Sequence, residues 1–359
     1  MSAEAERDAP AGVDGAAPAD PWRRGRWPVV TILSVLLVAT VAVSFAVGVT
    51  AYPPGTIVEV LLAHLTGRPS TVARVDDVTI WLVRMPRIVA AVLVGGALAA
   101  AGAAYQALFR NPMVSPDLLG ASGGAGVGAA LGILLSWGSA GVQLSAFALG
   151  LAAVLVTYTV GTLVGRGTES TLTLVLTGIV VSSLCSALIS LTKYVADPDD
   201  KLPQITFWLL GGLETVTVRG LLPLLVPVLV GLVPLMVLRW RLNVLAFGDE
   251  EAASLGVNPR VVKAFVIVGA TLMTAASVSA AGMVGWVGLV VPHAARMLVG
   301  PDARRAVPVS ALLGAIFLLV VDDLVRTVLT TEVPLGILTA LVGAPFFLFL
   351  LARGRRAWT

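Results

Sequence analysis

The 359-residue chain is 57% hydrophobic and 13% charged, with a mean hydropathy of +0.93, against about 25% charged residues in a typical soluble domain. So apolar a surface cannot be hidden from water, which excludes an ordinary soluble protein and makes lipid the solvent. The net charge of +3 is spread between apolar runs, so no basic patch points to nucleic acid, and the single Cys185 allows neither an internal disulfide nor a cysteine metal cluster.

Residues 1–22 are rich in Ala, Pro, Asp and Glu and lack apolar periodicity, which predicts a disordered cytoplasmic tail. Everything from 23 to 356 reads as one transmembrane domain. Arg23, Arg24 and Arg26 precede Pro28–Thr50, the first run long enough to span a bilayer. Residues 51–83 are mixed and predict an external loop with a short helix. The second span starts at Arg84-Met-Pro-Arg87 and reaches about Leu108, with Gly95, Gly96 and Gly102 permitting close helix approach. Arg110-Asn111-Pro112 ends it. Further spans are expected at about 118–137, 141–164 and 172–191. Lys193 to Gln204 is charged and lies outside the hydrocarbon, and 205–218 is interfacial.

The sixth span covers about 220–238. A polar interruption, Phe247–Lys263, follows it. Its Asp249, Glu250 and Glu251 suit a helix N-terminus, and Gly256 suits the end of that helix. Four more spans are expected at about 264–281, 284–299, 307–329 and 335–351. The prediction is an all-α polytopic membrane protein of about ten spans with both termini cytoplasmic. In that topology sixteen Lys and Arg residues lie inside and eight outside, which agrees with the positive-inside bias.

Gly102, Pro112 and Gly120 stand 180 residues before Gly282, Pro292 and Gly300. Such an echo raises an internal repeat of two helix bundles, a common transporter plan.

There is no G-x-x-x-x-G-K-[ST] phosphate loop, so ATP-driven work must come from a partner chain. Gly120-Ala-Ser-Gly123 is compatible with an intramembrane serine protease only if His293 serves Ser122 as base, and helix packing explains the same motif. Adjacent Asp322 and Asp323 point about 100° apart on a helix and cannot form a proton-sharing dyad, although acids near the end of a span keep an ion-coupled secondary transporter in play. No metal-ligand cluster is present in the sequence. Arg84, Arg87 and Arg326 stand at outer ends of spans, against the charge bias. They either snorkel to lipid phosphates or present charge to an acidic external partner.

Several blocks together carry a resemblance. They are Leu82-Val-Arg-Met-Pro-Arg87, Gly96 to Gly102 with Gln106, Arg110-Asn111-Pro112 through Leu119-Gly120, and Phe207-Trp208 with Gly211-Gly212. Ala253-Ser254-Leu255-Gly256, Gly285 to Pro292-His293 with Arg296, Asp322 with Arg326, Glu332 to Gly336, and Gly343-Ala-Pro-Phe346 complete the set. The chain resembles the FecCD-type permeases of ABC importers for iron–siderophores, haem and cobalamin, over about residues 28–353. The resemblance implies a ten-helix permease in a bacterial inner membrane, paired with a second permease that is identical or paralogous. It also implies two cytoplasmic ATPase subunits, an external substrate-binding protein, and no directly bound cofactor. By the same likeness Arg84, Arg87 and Arg326 dock the binding protein. Glu250, Glu251, Ala253, Ser254, Leu255 and Gly256 couple to the ATPase within the loop 247–263. Ser170 and Thr171 mark the inner gate, while Asn111, Pro112, Gly120, Pro292 and His293 are structural motif positions. Iron–siderophore is the expected substrate, with haem or cobalamin as alternatives.

Topology is directly testable. A reporter fused after Arg166 or after Thr359 should read cytoplasmic, and one inserted near Pro198 should read external. A cytoplasmic reading at Pro198 would invert the fifth and sixth spans and break the ten-span order.

Overall fold

The computed structural model describes residues 27–48, 50–165, 170–328 and 333–354, and it is helical throughout. The N-terminal tail expected at 1–22 lies outside the described residues. In chain order the helices are α1 (Trp27–Ala46), α2 (Pro54–Thr66), α3 (Arg74–Val78), α4 (Met85–Leu108), α5 (Ala121–Leu134), α6 (Gly138–Val164) and α7 (Ser170–Val195). They continue with α8 (Lys201–Leu210), α9 (Val218–Leu245), α10 (Asp249–Ser254), α11 (Pro259–Ala281), α12 (Val287–Val299), α13 (Ala303–Val328) and α14 (Leu335–Gly354). All ten expected spans have a helix. Seven are long and apolar enough to cross a membrane, namely those built on α1, α3–α4, α6, α7, α9, α11 and α13, while α5, α12 and α14 are shorter.

The second span differs from expectation at its start. The helix runs unbroken from Arg74 to Leu108, 35 residues in all, or about 52 Å at 1.5 Å per residue. That exceeds the roughly 30 Å hydrocarbon core, so the α3 end projects beyond it. Asp76 and Asp77 hid this continuation by interrupting the apolar run. A π-helical turn, Thr79–Arg84, joins α3 to α4. Pro86, in the first turn of α4, lacks an amide hydrogen, and its ring crowds the carbonyl four residues back. The wider turn absorbs the misfit, with the Met85 amide donating to the Ile80 carbonyl.

The third and eighth spans are also shorter than expected. α5 has 14 residues and α12 has 13, each about 20 Å. A 3-10 turn, Pro116–Leu119, leads into α5, and irregular backbone at 282–286 leads into α12. Such backbone survives at membrane depth only where protein covers it and its polar groups are paired. Here Leu119, Gly120, Gly282 and Val284 are buried, and neighbouring backbone groups are paired. Gly212 N donates to Ala281 O at 2.9 Å, and Leu335 N to Gly211 O at 2.9 Å.

α4 is the centre. In its apolar window 78% of residues are buried, against 17% in α1 and α7, which therefore lie at the periphery of the bundle. α4 is surrounded by α9, α11, α12 and α13. Its composition allows this, because small residues let backbones touch where lipid gives no hydrophobic drive. A Cβ on Gly95 would collide with the carbonyl of Gly314 on α13, and one on Gly314 would collide with Gly95 in return. Gly102 meets the backbone of Gly288 on α12 in the same way.

The 180-residue echo does not mark equivalent places. Gly120 and Gly300 both have positive φ, 90° and 80°, but Gly120 precedes α5 with ψ of 11° and Gly300 ends α12 with ψ of −179°. Gly102 lies inside α4, whereas Gly282 caps α11; Pro112 lies in a loop, whereas Pro292 is inside α12.

Gly95→Val should lower the thermal unfolding midpoint in detergent, with a cost of about 1–3 kcal/mol or more from overpacking. Gly55→Ala, where a new Cβ would meet nothing within 4 Å, should leave the midpoint unchanged or slightly raised. Equal effects from the two would remove the close α4–α13 contact as the reason.

Candidate functional site

Charge gathers at the end of the bundle where α1 and α13 finish and α4 begins. Arg87 Nε donates to Asp322 Oδ1 at 2.9 Å and to Oδ2 at 3.1 Å. Arg326, one turn after Asp322, faces Asp322 Oδ2 at 3.2 Å and also pairs with Asp323. Ser44 Oγ donates to Asp323 at 2.6 Å, and Arg326 Nη2 lies 2.7 Å from the same hydroxyl. One ion network thus ties α1, α4 and α13.

Arg84 does a separate job. It donates to the Phe45 carbonyl at 2.6 Å and to the Thr50 carbonyl, with its guanidinium 4.6 Å above the Tyr52 ring. It caps the carbonyl end of α1, where a cation is favoured. The sequence reading offered Arg84, Arg87 and Arg326 as charges held out to lipid or to a partner. Their places differ: Arg84 and Arg87 are only 5% and 6% exposed, and Arg326 is part-buried. All three are engaged within the chain. Ser44 and Tyr52 were missed as partners because nothing local marks contacts across 279 and 32 residues of sequence. The adjacency of Asp322 and Asp323 with Arg326 at i+4 and i+3 was the available signal. The 100° divergence of the two acids is seen here, since Asp322 receives Arg87 and Asp323 receives Ser44.

The other membrane face carries the loop between α9 and α11. α10 begins at Asp249 and ends at Ser254, with Asp249, Glu250 and Glu251 in its first turn, where carboxylates oppose the positive helix end. Gly256 follows with φ of 77°, so the chain turns there as its glycine suggested. Lys263 Nζ meets Asp249 at 2.6 Å, and the Asn258 side chain caps α11 by accepting from Arg260 N and Val261 N. Ala252 is fully buried beneath this short helix, while Leu255 and Phe247 are 65% and 72% exposed. A rigid, capped loop therefore carries two large apolar side chains outward. Asn243 at the end of α9 donates to Asp302 at 2.6 Å and accepts from Ala303 N at 2.8 Å, which places the start of α13 on this same face.

Among the motif positions, Asn111 Oδ1 accepts from Met113 N at 2.9 Å and shapes the turn holding Pro112. Gln106 donates to Val114 O and Leu289 O at 3.0 and 3.1 Å, clipping that turn to α12. Ser122 Oγ donates to Asp117, and no hydrogen bond joins it to His293. The nucleophile–base pair of a serine protease is therefore not assembled. The side chains of Ser170 and Thr171, expected at the inner gate, lie outside the described residues.

Among the described residues, seven helices long and apolar enough to cross a membrane, shorter apolar helices beside them, one charge-locked end and an exposed loop helix define a multi-pass membrane protein. The FecCD transport family model matches residues 36–353, and the chain belongs to that family of ABC importer permeases. It is 36% identical over 315 residues to the molybdate import system permease protein MolB of Haemophilus influenzae, covering 88% of this chain and 92% of the other. It is 42% identical over 276 residues to the cobalamin import system permease protein BtuC of Halobacterium salinarum, covering 77% and 73%. Relatives named for iron chelatin and hemin transport are similar as well. A solved structure of a metal-chelate type ABC transporter in an inward-facing conformation aligns with a TM-score of 0.79 at 34% identity, over 90% of this chain and 99% of that one.

Asp322→Asn should destabilise the protein by about 3–5 kcal/mol, because breaking a buried pair leaves guanidinium charge uncompensated. The double variant Arg87→Met/Asp322→Leu should lose less than the two single changes added together. Thermal unfolding in detergent measures both, and strict additivity would mean the two residues do not interact.

Proposed function

We propose that this chain forms, with a second identical or paralogous permease, the membrane pathway of a bacterial inner-membrane importer for metal chelates, iron–siderophore complexes in particular. The observation that carries it is the 34% identity and TM-score of 0.79 to a metal-chelate type transporter across 90% of the chain. Relatives named for iron chelatin support the iron reading. A molybdate substrate is the second reading, favoured by the long alignment to a molybdate permease, and haem or cobalamin would use the same machinery. Coupling to ATP belongs to partner ATPase subunits. An ion-coupled secondary carrier is less well supported, since Asp322 and Asp323 are both occupied by arginines or a serine hydroxyl.

In this reading the 247–263 loop rests on the ATPase. Leu255 supplies an exposed apolar knob, and the turn at Gly256 aims it. Glu250, Glu251, Ala253 and Ser254 form the rest of the contact. The docking role for Arg84, Arg87 and Arg326 takes a narrower form, because a free charge is not on offer. An incoming carboxylate of a binding protein would exchange with Asp323 for Arg326, the member of the network nearest the helix end. Ion-pair exchange of this sort adds steering and specificity more than raw affinity.

Reconstituted with its ATPase and binding protein, the permease should take up a radioiron–siderophore complex only with ATP, and molybdate not at all. Uptake of molybdate in preference would overturn the chelate reading, and uptake without ATP would overturn the ABC mechanism. Leu255→Glu should leave the permease folded but cut uptake by about tenfold or more, through loss of a desolvated contact worth at least ~1.4 kcal/mol. Full ATPase association and uptake in Leu255→Glu would remove the loop from the coupling role.

A further inference from the structure

His293 and Arg296 stand three residues apart on α12 and so share one face of the helix. Among the described residues neither side chain makes a hydrogen bond or an ion pair, and His293 Nδ1 and Arg296 Nη2 are shielded from solvent with no partner. Arg84, Arg87 and Arg326 each make at least one hydrogen bond within the chain, and in this Arg296 differs from them. A guanidinium within an apolar helix bundle is costly unless an anion meets it. The one acid in the adjoining turn, Asp302, is already committed. It accepts from Asn243 at 2.6 Å and from Arg304 N at 2.9 Å, and it faces Arg305 at 3.8 Å.

The surroundings indicate what kind of anion fits. Met297 lies one turn from His293, and Met297 and, further round the helix, Leu298 are 56% and 55% exposed, so exposed apolar side chains adjoin the cationic face. Ala295, on the opposite side, is packed with Leu33 of α1 and Val309 of α13, which holds α12 at a set depth. The end of α12 and the turn 300–303 share a membrane face with the α9–α11 loop through Asn243. Exposed Arg304 adds cationic charge just past the helix. A cationic fork beside apolar side chains at a membrane surface matches a lipid headgroup with its chains.

We propose that Arg296 and His293 bind the phosphate of an anionic phospholipid, whose acyl chains lie along Met297 and Leu298. Arg296 supplies two guanidinium donors to two phosphate oxygens, and the His293 ring supplies a third N–H. Arg304 and Arg305 disfavour headgroups that carry their own ammonium, so a phosphatidylglycerol is preferred over a phosphatidylcholine.

The test uses the purified full-length chain in neutral detergent, titrated with phosphatidylglycerol, and reads both the thermal unfolding midpoint and the lipid retained in native mass spectrometry. Wild type should bind phosphatidylglycerol about tenfold more tightly than Arg296→Gln, the effect of losing a charge-assisted phosphate contact. His293→Gln should weaken binding by a few-fold, and phosphatidylcholine should give no shift in wild type. Should Arg296→Gln fail to fold, Arg296→Lys carries the test: it keeps the charge but loses the fork, and it should still bind several-fold less. Equal retention of phosphatidylglycerol by wild type and the Arg296 variants would overturn the proposal. So would an equal midpoint shift with inorganic phosphate, which would assign the site to a free anion. A shift given by the ATPase subunits and not by lipid would assign it to a protein carboxylate.

Discussion

Two apolar helices in lipid gain nothing from leaving the solvent for each other, since the acyl chains are as apolar as leucine. What holds them is dispersion at short range and whatever polar contacts the interface can satisfy. The contact of Gly95 with Gly314 is therefore the condition on which the rest of the bundle depends. With both Cβ atoms absent, the backbones of α4 and α13 touch. That approach brings Arg87 on one helix within ion-pair distance of Asp322 on the other. The same helix meets α12 at Gly102 and Gly288, and from its next turn Gln106 reaches the carbonyl of Leu289. Small residues set the spacing, and polar side chains at that spacing set the register.

The two ends of the bundle are fastened by different chemistry. At the end where α4 begins the fastening is ionic and dry, with Asp322 fully buried between two guanidiniums. A buried pair of this kind is weak evidence for net stability but strongly penalises separation, because each partner left alone is an uncompensated charge. At the other end a neutral amide, Asn243, joins α9 to α13 by one donated and one accepted hydrogen bond. The loop between α9 and α11 hangs from that end, carrying exposed Leu255 and Phe247. The face carrying the exposed loop is thus built on a modest polar clip, and the opposite face is locked.

The bundle was legible in the sequence because about twenty apolar residues are a signal that survives without an alignment. Every expected span has a helix, and α10 with its acidic first turn and Gly256 was readable from propensity alone. The start of the second span was not, since Asp76 and Asp77 break the apolar run while the helix continues through a π turn around Pro86. The partners of Arg84, Arg87 and Arg326 within the chain were not legible either. Their chemistry was visible, but Asp322 lies 235 residues from Arg87, and composition cannot say which distant helix will be adjacent. A charge at the wrong end of a span reads as offered outward until its partner is placed.

The broken helices carry the last part of the argument. Trp286 holds φ of 68° and ψ of −32°, a left-handed conformation that a bulky residue adopts only when its surroundings impose it. Its ring packs against Phe347 at 6.5 Å, and Gly343 leaves room for it, since a Cβ there would lie 2.6 Å from that of Trp286. The neighbouring backbone is pinned as well, by Gly212 to Ala281 and by Leu335 to Gly211. Packing and hydrogen bonds together over-determine a segment that propensity alone would not form. α8, α11, α12 and α14 all end or begin around this knot. A continuous helix would seal its backbone groups within itself, whereas four interrupted ones bring irregular backbone to membrane depth. Protein covers that backbone where the structure describes it. Discontinuous helices are also how transporters place polar backbone along a pathway, so the strain at Trp286 falls where a permease has reason to hold it.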